Sequence, residues 1–191
     1  MERSMLKTEN FFALLGVAGP LIAYLSIALS ICLTPNFSWF RNALSDLGHA
    51  QKSVVAPVFN AGLLVSGFLV AIYSIKSLAK YAKCTSIMVA LSALMLQAVA
   101  AFDEIYGFIH FVVSVLFFVL ALIACLFYSV EKKSTFALIA FLTGLLAWML
   151  YWLGVYRAGV AVPEMISALA VTSVIIYSAV GIFKSSNIGP I

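Results

Sequence analysis

The chain has 191 residues, of which 64% are hydrophobic and 9% are charged, whereas soluble domains carry about 25% charged residues. A mean hydropathy of +1.14 excludes an ordinary soluble protein. The net charge of +4, from 11 basic and 7 acidic residues, is too small and too dispersed to indicate nucleic-acid binding. The composition therefore predicts an integral membrane protein that has no nucleic-acid partner.

Six apolar stretches follow one another along the chain, and each is long enough to cross a bilayer, whose core needs about 20 residues of α-helix. They run at about 11–33, 57–75, 84–102, 107–130, 135–156 and 163–183. No loop is long enough to form a separate soluble domain. We predict one domain, residues 1–191, that is an all-α bundle of six transmembrane helices, with the first stretch retained as a helix and not cleaved.

The basic residues are unevenly divided between the two ends of such a bundle. Eight of the eleven fall at the termini and in the loops after the second and fourth stretches, and the other three fall in the remaining loops. Because Lys and Arg are enriched in cytoplasmic loops, we expect a multi-pass protein of the cell membrane with both termini in the cytoplasm.

The longest predicted loop, residues 34–56, lies after the first stretch. Asn36 is suited to cap a helix and Gly48 to end one. Apolar residues between them recur at helical spacing, with polar residues on the opposite face. We predict an amphipathic outer helix over residues 37–47, which either lies flat on the membrane or folds over the mouth of the bundle. Its apolar face consists of Phe37, Phe40, Leu44 and Leu47, and we expect the last three to be buried in protein or lipid.

The later stretches place a few polar side chains near the same, outer end. Asp103 and His110 are seven residues apart and share one face if the fourth helix begins by residue 103. We predict that this face looks inward, towards Asn60. Glu164 is explained by the dipole of the sixth helix or by pairing with Arg157. The candidates for a ligand-binding pocket are Asn42, Ser45, Asp46, Asn60, Asp103, His110 and Arg157.

Four short segments carry a resemblance to a known family. They are WFRNALSDLG at 39–48, PVFNAG at 57–62, FD at 102–103 and GFIH at 107–110. In order and spacing they resemble the prokaryotic six-helix membrane proteins grouped as domain of unknown function 998, and the likeness covers almost the whole chain. The resemblance implies the six-helix fold and supplies no reaction.

Two classes of function are compatible with these features. The first is binding of a lipid or other amphiphile in an outward-facing polar pocket, with membrane lipids as partners and without a cofactor. The alternative is an intramembrane metal-dependent lipid hydrolase, in which zinc would need about three protein ligands. The candidates for those ligands are Asp46, His49, Asp103, Glu104 and His110.

A transporter is less well supported than either. The two halves of the chain show no recurrence of the kind that marks internally repeated transporters. The centres of the six stretches also carry no Asp, Glu, Lys or Arg, which argues against ion coupling through the membrane.

Overall fold

Residues 2–188 are described by a computed structural model, and side chains are described from residue 10 to residue 185. Within this range the chain forms six α-helices, and each contains a span long and apolar enough to cross a membrane, which confirms the predicted bundle. The helices are α1 Glu2–Cys32, α2 Ala56–Lys76, α3 Lys83–Ala101, α4 Phe108–Glu131, α5 Thr135–Trp152 and α6 Ala161–Ile188.

The helices form a closed ring in chain order. Each one contacts the next, and α6 returns to pack against α1. A direct contact between α4 and α6 leaves α5 at the periphery, where it is the least buried of the six spans. The interior of the bundle is therefore enclosed by α1, α2, α3, α4 and α6.

Small residues allow some of these helices to approach closely. A Cβ atom at Gly62 of α2 would collide with the side chain of Ser26 on α1, so the small Ser26 side chain lies directly against the backbone of α2. Hydroxyl groups join α6 to its neighbours. Tyr73 of α2 and Ser178 share a hydrogen bond of 2.7 Å, as do Tyr24 of α1 and Thr172 at 2.7 Å.

The prediction of an amphipathic outer helix is wrong. Between α1 and α2, residues 37–44 form turns and bends, and the helical part is a 3₁₀-helix, Ser45–Gly48. The predicted apolar face is split. Leu44 and Leu47 are buried in the protein, whereas Phe40 is 77% exposed.

Hydrogen bonds to other partners explain why this segment is not an α-helix. The backbone carbonyls of Trp39 and Asn42 accept hydrogen bonds from Gly159, at 2.8 Å, and from Ala161, at 2.9 Å. Both donors lie in the α5–α6 connection or at the start of α6, so these carbonyls are not used for an i→i+4 ladder. The segment folds over the end of the bundle, which decides between the two placements left open by the sequence.

The predicted start of α4 is also corrected. Asp103 caps a separate 3₁₀-helix, Glu104–Tyr106, by accepting a hydrogen bond from the Ile105 amide. Gly107 then adopts φ +50°, a left-handed conformation that glycine tolerates better than other residues. Because α4 begins only at Phe108, the helical spacing that was expected to align Asp103 with His110 does not apply.

The two ends of the bundle differ in chemistry. The end formed by loops 33–55, 102–107 and 153–160 and by the first turn of α6 holds four of the seven acidic residues and is called the acidic end below. The opposite end contains the lysine-rich connections at 77–82 and 132–134. There, Glu131 of α4 accepts hydrogen bonds from the Cys84 and Thr85 amides, at 2.8 and 2.9 Å, at the start of α3.

Candidate functional site

Glu164 connects α6 to the loop that covers the acidic end. Its Oε2 accepts a hydrogen bond of 2.6 Å from the Leu44 amide, and its side chain is only 9% exposed. No described residue forms a hydrogen bond with its second oxygen, Oε1. The same residue lies in the first turn of α6, where the helix dipole favours a negative charge.

Two more carboxylates hold the loop from the α3–α4 connection. Asp103 Oδ2 accepts a hydrogen bond of 3.1 Å from the Ala50 amide, and Glu104 Oε1 accepts one of 2.7 Å from the Ser45 hydroxyl. The loop over the acidic end is therefore fastened by carboxylates from two different parts of the chain.

Asp46 and Asn60 act within and beneath this loop. Asp46 Oδ2 accepts hydrogen bonds from the Asn42 side chain, at 2.6 Å, and from the Ala43 amide, at 3.1 Å. The amide of Asn60, on α2, donates to the Gly48 carbonyl at 2.9 Å. These bonds satisfy backbone groups that the irregular loop leaves without helical partners.

His110 lies under the α3–α4 connection and is buried. Its Nδ1 is 2.8 Å from the Phe102 carbonyl oxygen. Because that oxygen can only accept, Nδ1 carries the proton. Nε2 is 3.4 Å from the Ser114 hydroxyl. No direct hydrogen bond joins His110 to Asp103 in the described chain, because each side chain is bonded to a backbone group of the α3–α4 connection.

The remaining candidates are separate from this arrangement. His49 is buried and its Nδ1 accepts a hydrogen bond from the Gln51 amide at 3.3 Å. Arg157 is exposed and makes no hydrogen bond or salt bridge within the part of the chain that the structure describes. The pairing of Arg157 with Glu164 that the sequence allowed is therefore absent.

A cavity of about 120 Å³ lies inside the ring of helices, directly beneath the loop. Its wall is mostly apolar and comes from α1, α2, α3, α4 and α6, for example Ile27, Leu63, Val89 and Phe117. Polar groups are sparse in it. Glu164 is the only carboxylic acid among the lining residues, and they include no Lys, Arg or His. The cavity is thus an apolar chamber with a carboxylate at the acidic end.

The carboxylates of Asp46, Glu104 and Glu164 interact with one another at the acidic end. Burial raises the pKa of Glu104, and repulsion by Asp46 acts in the same direction, while the hydrogen bond from Ser45 opposes them. Asp46 and Glu104 also repel Glu164. Within residues 10–185 no Lys or Arg forms a salt bridge with any of these three carboxylates.

The candidates for metal ligands do not converge. Among the side chains that the structure describes, no group of three or more His, Cys, Asp or Glu residues is arranged to hold a metal ion. The carboxylates of Asp103 and Glu104 are engaged with backbone and hydroxyl donors of the loop. The geometry gives no support to a metal-dependent hydrolase.

Glu164 is the residue of the cavity that the sequence reasoning missed as a candidate. A helix dipole accounts for an acid at the start of a helix, so nothing in the sequence required that Glu164 be assigned to a site. The available signal was its position as the only carboxylate inside the six apolar stretches, since ionisable groups in membrane spans are costly and usually face a cavity or partner.

The six spans and the capped central cavity define a polytopic α-helical membrane protein. Residues 17–181 match the family described as "Protein of unknown function (DUF998)". The chain belongs to this family, as the sequence motifs indicated. Comparisons with curated proteins and with solved structures gave no match.

Proposed function

We propose that this protein binds a lipid or another amphiphile, with the apolar part in the central cavity and the polar part at the acidic end. The observation that carries the proposal is the cavity itself, about 120 Å³ in volume and lined mainly by apolar side chains from five helices. An apolar chamber of about 150 Å³ in a protein can take up a ligand such as benzene. The cavity of this protein suits a short apolar segment of similar size.

Two polar side chains of the cavity wall lie at the loop end of that chamber. Ser45 and Glu164 both line the cavity. Both also take part in the hydrogen bonds that hold the loop over the acidic end. A ligand bound in this way has its head group next to the loop and its chain between the helices. Such a site needs no bound cofactor.

The proposed location is the outer leaflet of the cell membrane, with the loop facing outward and both termini in the cytoplasm. Support for this orientation comes from the lysines, because eight of the eleven basic residues lie on the side of the termini and such residues favour the cytoplasmic side.

Filling the cavity tests the proposal. Ala93 is buried and lines the chamber, whereas Ala61 is exposed on the outer surface of α2. The probe is hexanol, which has a short apolar chain and an uncharged head, and the readout is the thermal unfolding midpoint of the purified protein in lipid nanodiscs. We expect hexanol to raise the midpoint of the wild type and of the control Ala61→Leu, and to leave that of Ala93→Leu unchanged. Equal responses of the two variants would contradict the proposal.

A further inference from the structure

We propose that the cavity selects an amphiphile with a cationic head group, such as a primary ammonium, which binds to the carboxylate of Glu164. This inference rests on the proposed function and names the chemical class of its ligand. It excludes anionic amphiphiles such as fatty acids as the preferred ligands of this site.

Within the described chain, Glu164 has one carboxylate oxygen that is free to bind a ligand. One of its oxygens accepts the Leu44 amide at 2.6 Å, and the other has no hydrogen-bond partner among the described residues. The side chain is 9% exposed and belongs to the cavity wall. A hydrogen-bond acceptor therefore stands at the boundary between the apolar chamber and the polar loop.

The charged groups near Glu164 are mainly other carboxylates. Asp46 and Glu104 both repel Glu164, and none of the three has a salt bridge to Lys or Arg within the described chain. The basic residues of the same end, Arg41, Lys52 and Arg157, are exposed.

The two histidines of this end do not balance that charge. His49 accepts a hydrogen bond from the Gln51 amide at Nδ1. His110 interacts electrostatically with Glu104 and donates its Nδ1 proton to the Phe102 carbonyl. Neither imidazole forms a hydrogen bond with any of the three carboxylates among the described residues.

Ammonium, hydroxyl and carboxylate head groups differ in how well they suit this site. Buried carboxylates without a compensating cation are unfavourable, and an ammonium group supplies both the missing positive charge and three hydrogen-bond donors. An anionic head group would instead bring a further negative charge next to Glu164, and an uncharged hydroxyl could donate a hydrogen bond without neutralising charge. The expected order of affinity is ammonium, then hydroxyl, then carboxylate.

The test uses three probes with the same six-carbon chain, namely hexylammonium, hexanol and hexanoate. Each is titrated into the full-length protein in nanodiscs of one uncharged lipid, and the unfolding midpoint is followed. Glu164→Gln keeps an oxygen that can accept the Leu44 amide while removing the charge, so the loop contact is preserved. Ala93→Leu is the variant in which the cavity is filled, and Ala61→Leu is the control in which it stays open.

We expect hexylammonium to act on the wild type at about a tenfold lower concentration than hexanol, as one charge-assisted hydrogen bond implies. In Glu164→Gln the two probes should act at the same concentration. If hexanoate matched hexylammonium, or if Glu164→Gln kept the preference, the head-group assignment would be overturned while chain binding stood. If all three probes shifted the unfolding midpoint of Ala93→Leu as much as that of Ala61→Leu, both proposals would be refuted.

Discussion

Replacing Glu164 by alanine is expected to loosen the loop over the acidic end, and the size of the effect follows from one hydrogen bond. The Leu44 amide donates to the Glu164 carboxylate at 2.6 Å in a buried position. Alanine leaves this donor without a partner, which costs about 1–3 kcal/mol. Relief of the repulsion from Asp46 and Glu104 offsets part of that cost, so the lower half of the range is the better expectation.

Hydrogen exchange at the Leu44 amide measures this free energy directly. A cost of about 1–3 kcal/mol corresponds to about a 5- to 150-fold faster exchange, provided that the amide exchanges through local opening of the loop. Glu164→Gln retains an acceptor oxygen and is expected to preserve most of the protection. Glu131→Ala, at the opposite end of the bundle, removes a comparable acceptor of backbone amides and serves as the control.

Two results would refute this reasoning. If Glu164→Gln accelerated exchange at Leu44 as much as Glu164→Ala, loss of the charge and not loss of the acceptor would be responsible. If neither variant changed the exchange, other contacts of the loop, such as the bond between Asp103 and the Ala50 amide, would be sufficient to hold it closed.

Three further predictions concern other parts of the molecule. Glu131→Ala should lower the stability of the bundle by on the order of 1 kcal/mol in thermal unfolding, because the first amides of α3 lose their acceptor and the carboxylate is exposed; an unchanged midpoint would contradict this. Burial raises the pKa of Glu104 above its ordinary 4.5, so its contribution to stability is complete below that value and is lost as pH rises through the folded-state pKa. Glu104→Gln should flatten this dependence in unfolding midpoints measured from about pH 4 to 8, and an equally steep profile would refute the assignment. A cysteine introduced at Lys132 should resist an impermeant thiol reagent added to intact cells, and labelling there would reverse the proposed orientation.

The outline of the fold could be predicted from the sequence because the bilayer imposes it locally. Each span must bury its own backbone hydrogen bonds in a helix of about 20 apolar residues, and this requirement can be read from composition alone. The six spans were therefore located to within a few residues, for example α4, predicted at 107–130 and observed at Phe108–Glu131.

Local patterns were insufficient where the backbone finds partners elsewhere in the chain. The segment 37–47 has a helical hydrophobic pattern, yet the carbonyls of Trp39 and Asn42 accept hydrogen bonds from Gly159 and Ala161, more than a hundred residues later. No spacing within the segment contains that information.

The same distinction applies to the candidate site. The sequence indicated which end of the bundle carries the polar residues, and the structure brings Asn42, Ser45, Asp46 and Asn60 together there. The sequence did not indicate that α5 lies at the periphery of the bundle or that Glu164 lines a cavity.

The sequence by itself determined the class of protein, the number of spans and the family, because hydrophobic length and short motifs are local properties. Only the tertiary structure decided that the acidic end is a capped chamber with Glu164 at its boundary. Whether a side chain faces lipid, a neighbouring helix or an interior space depends on how the helices rotate and pack against one another, and that depends on all six of them at once.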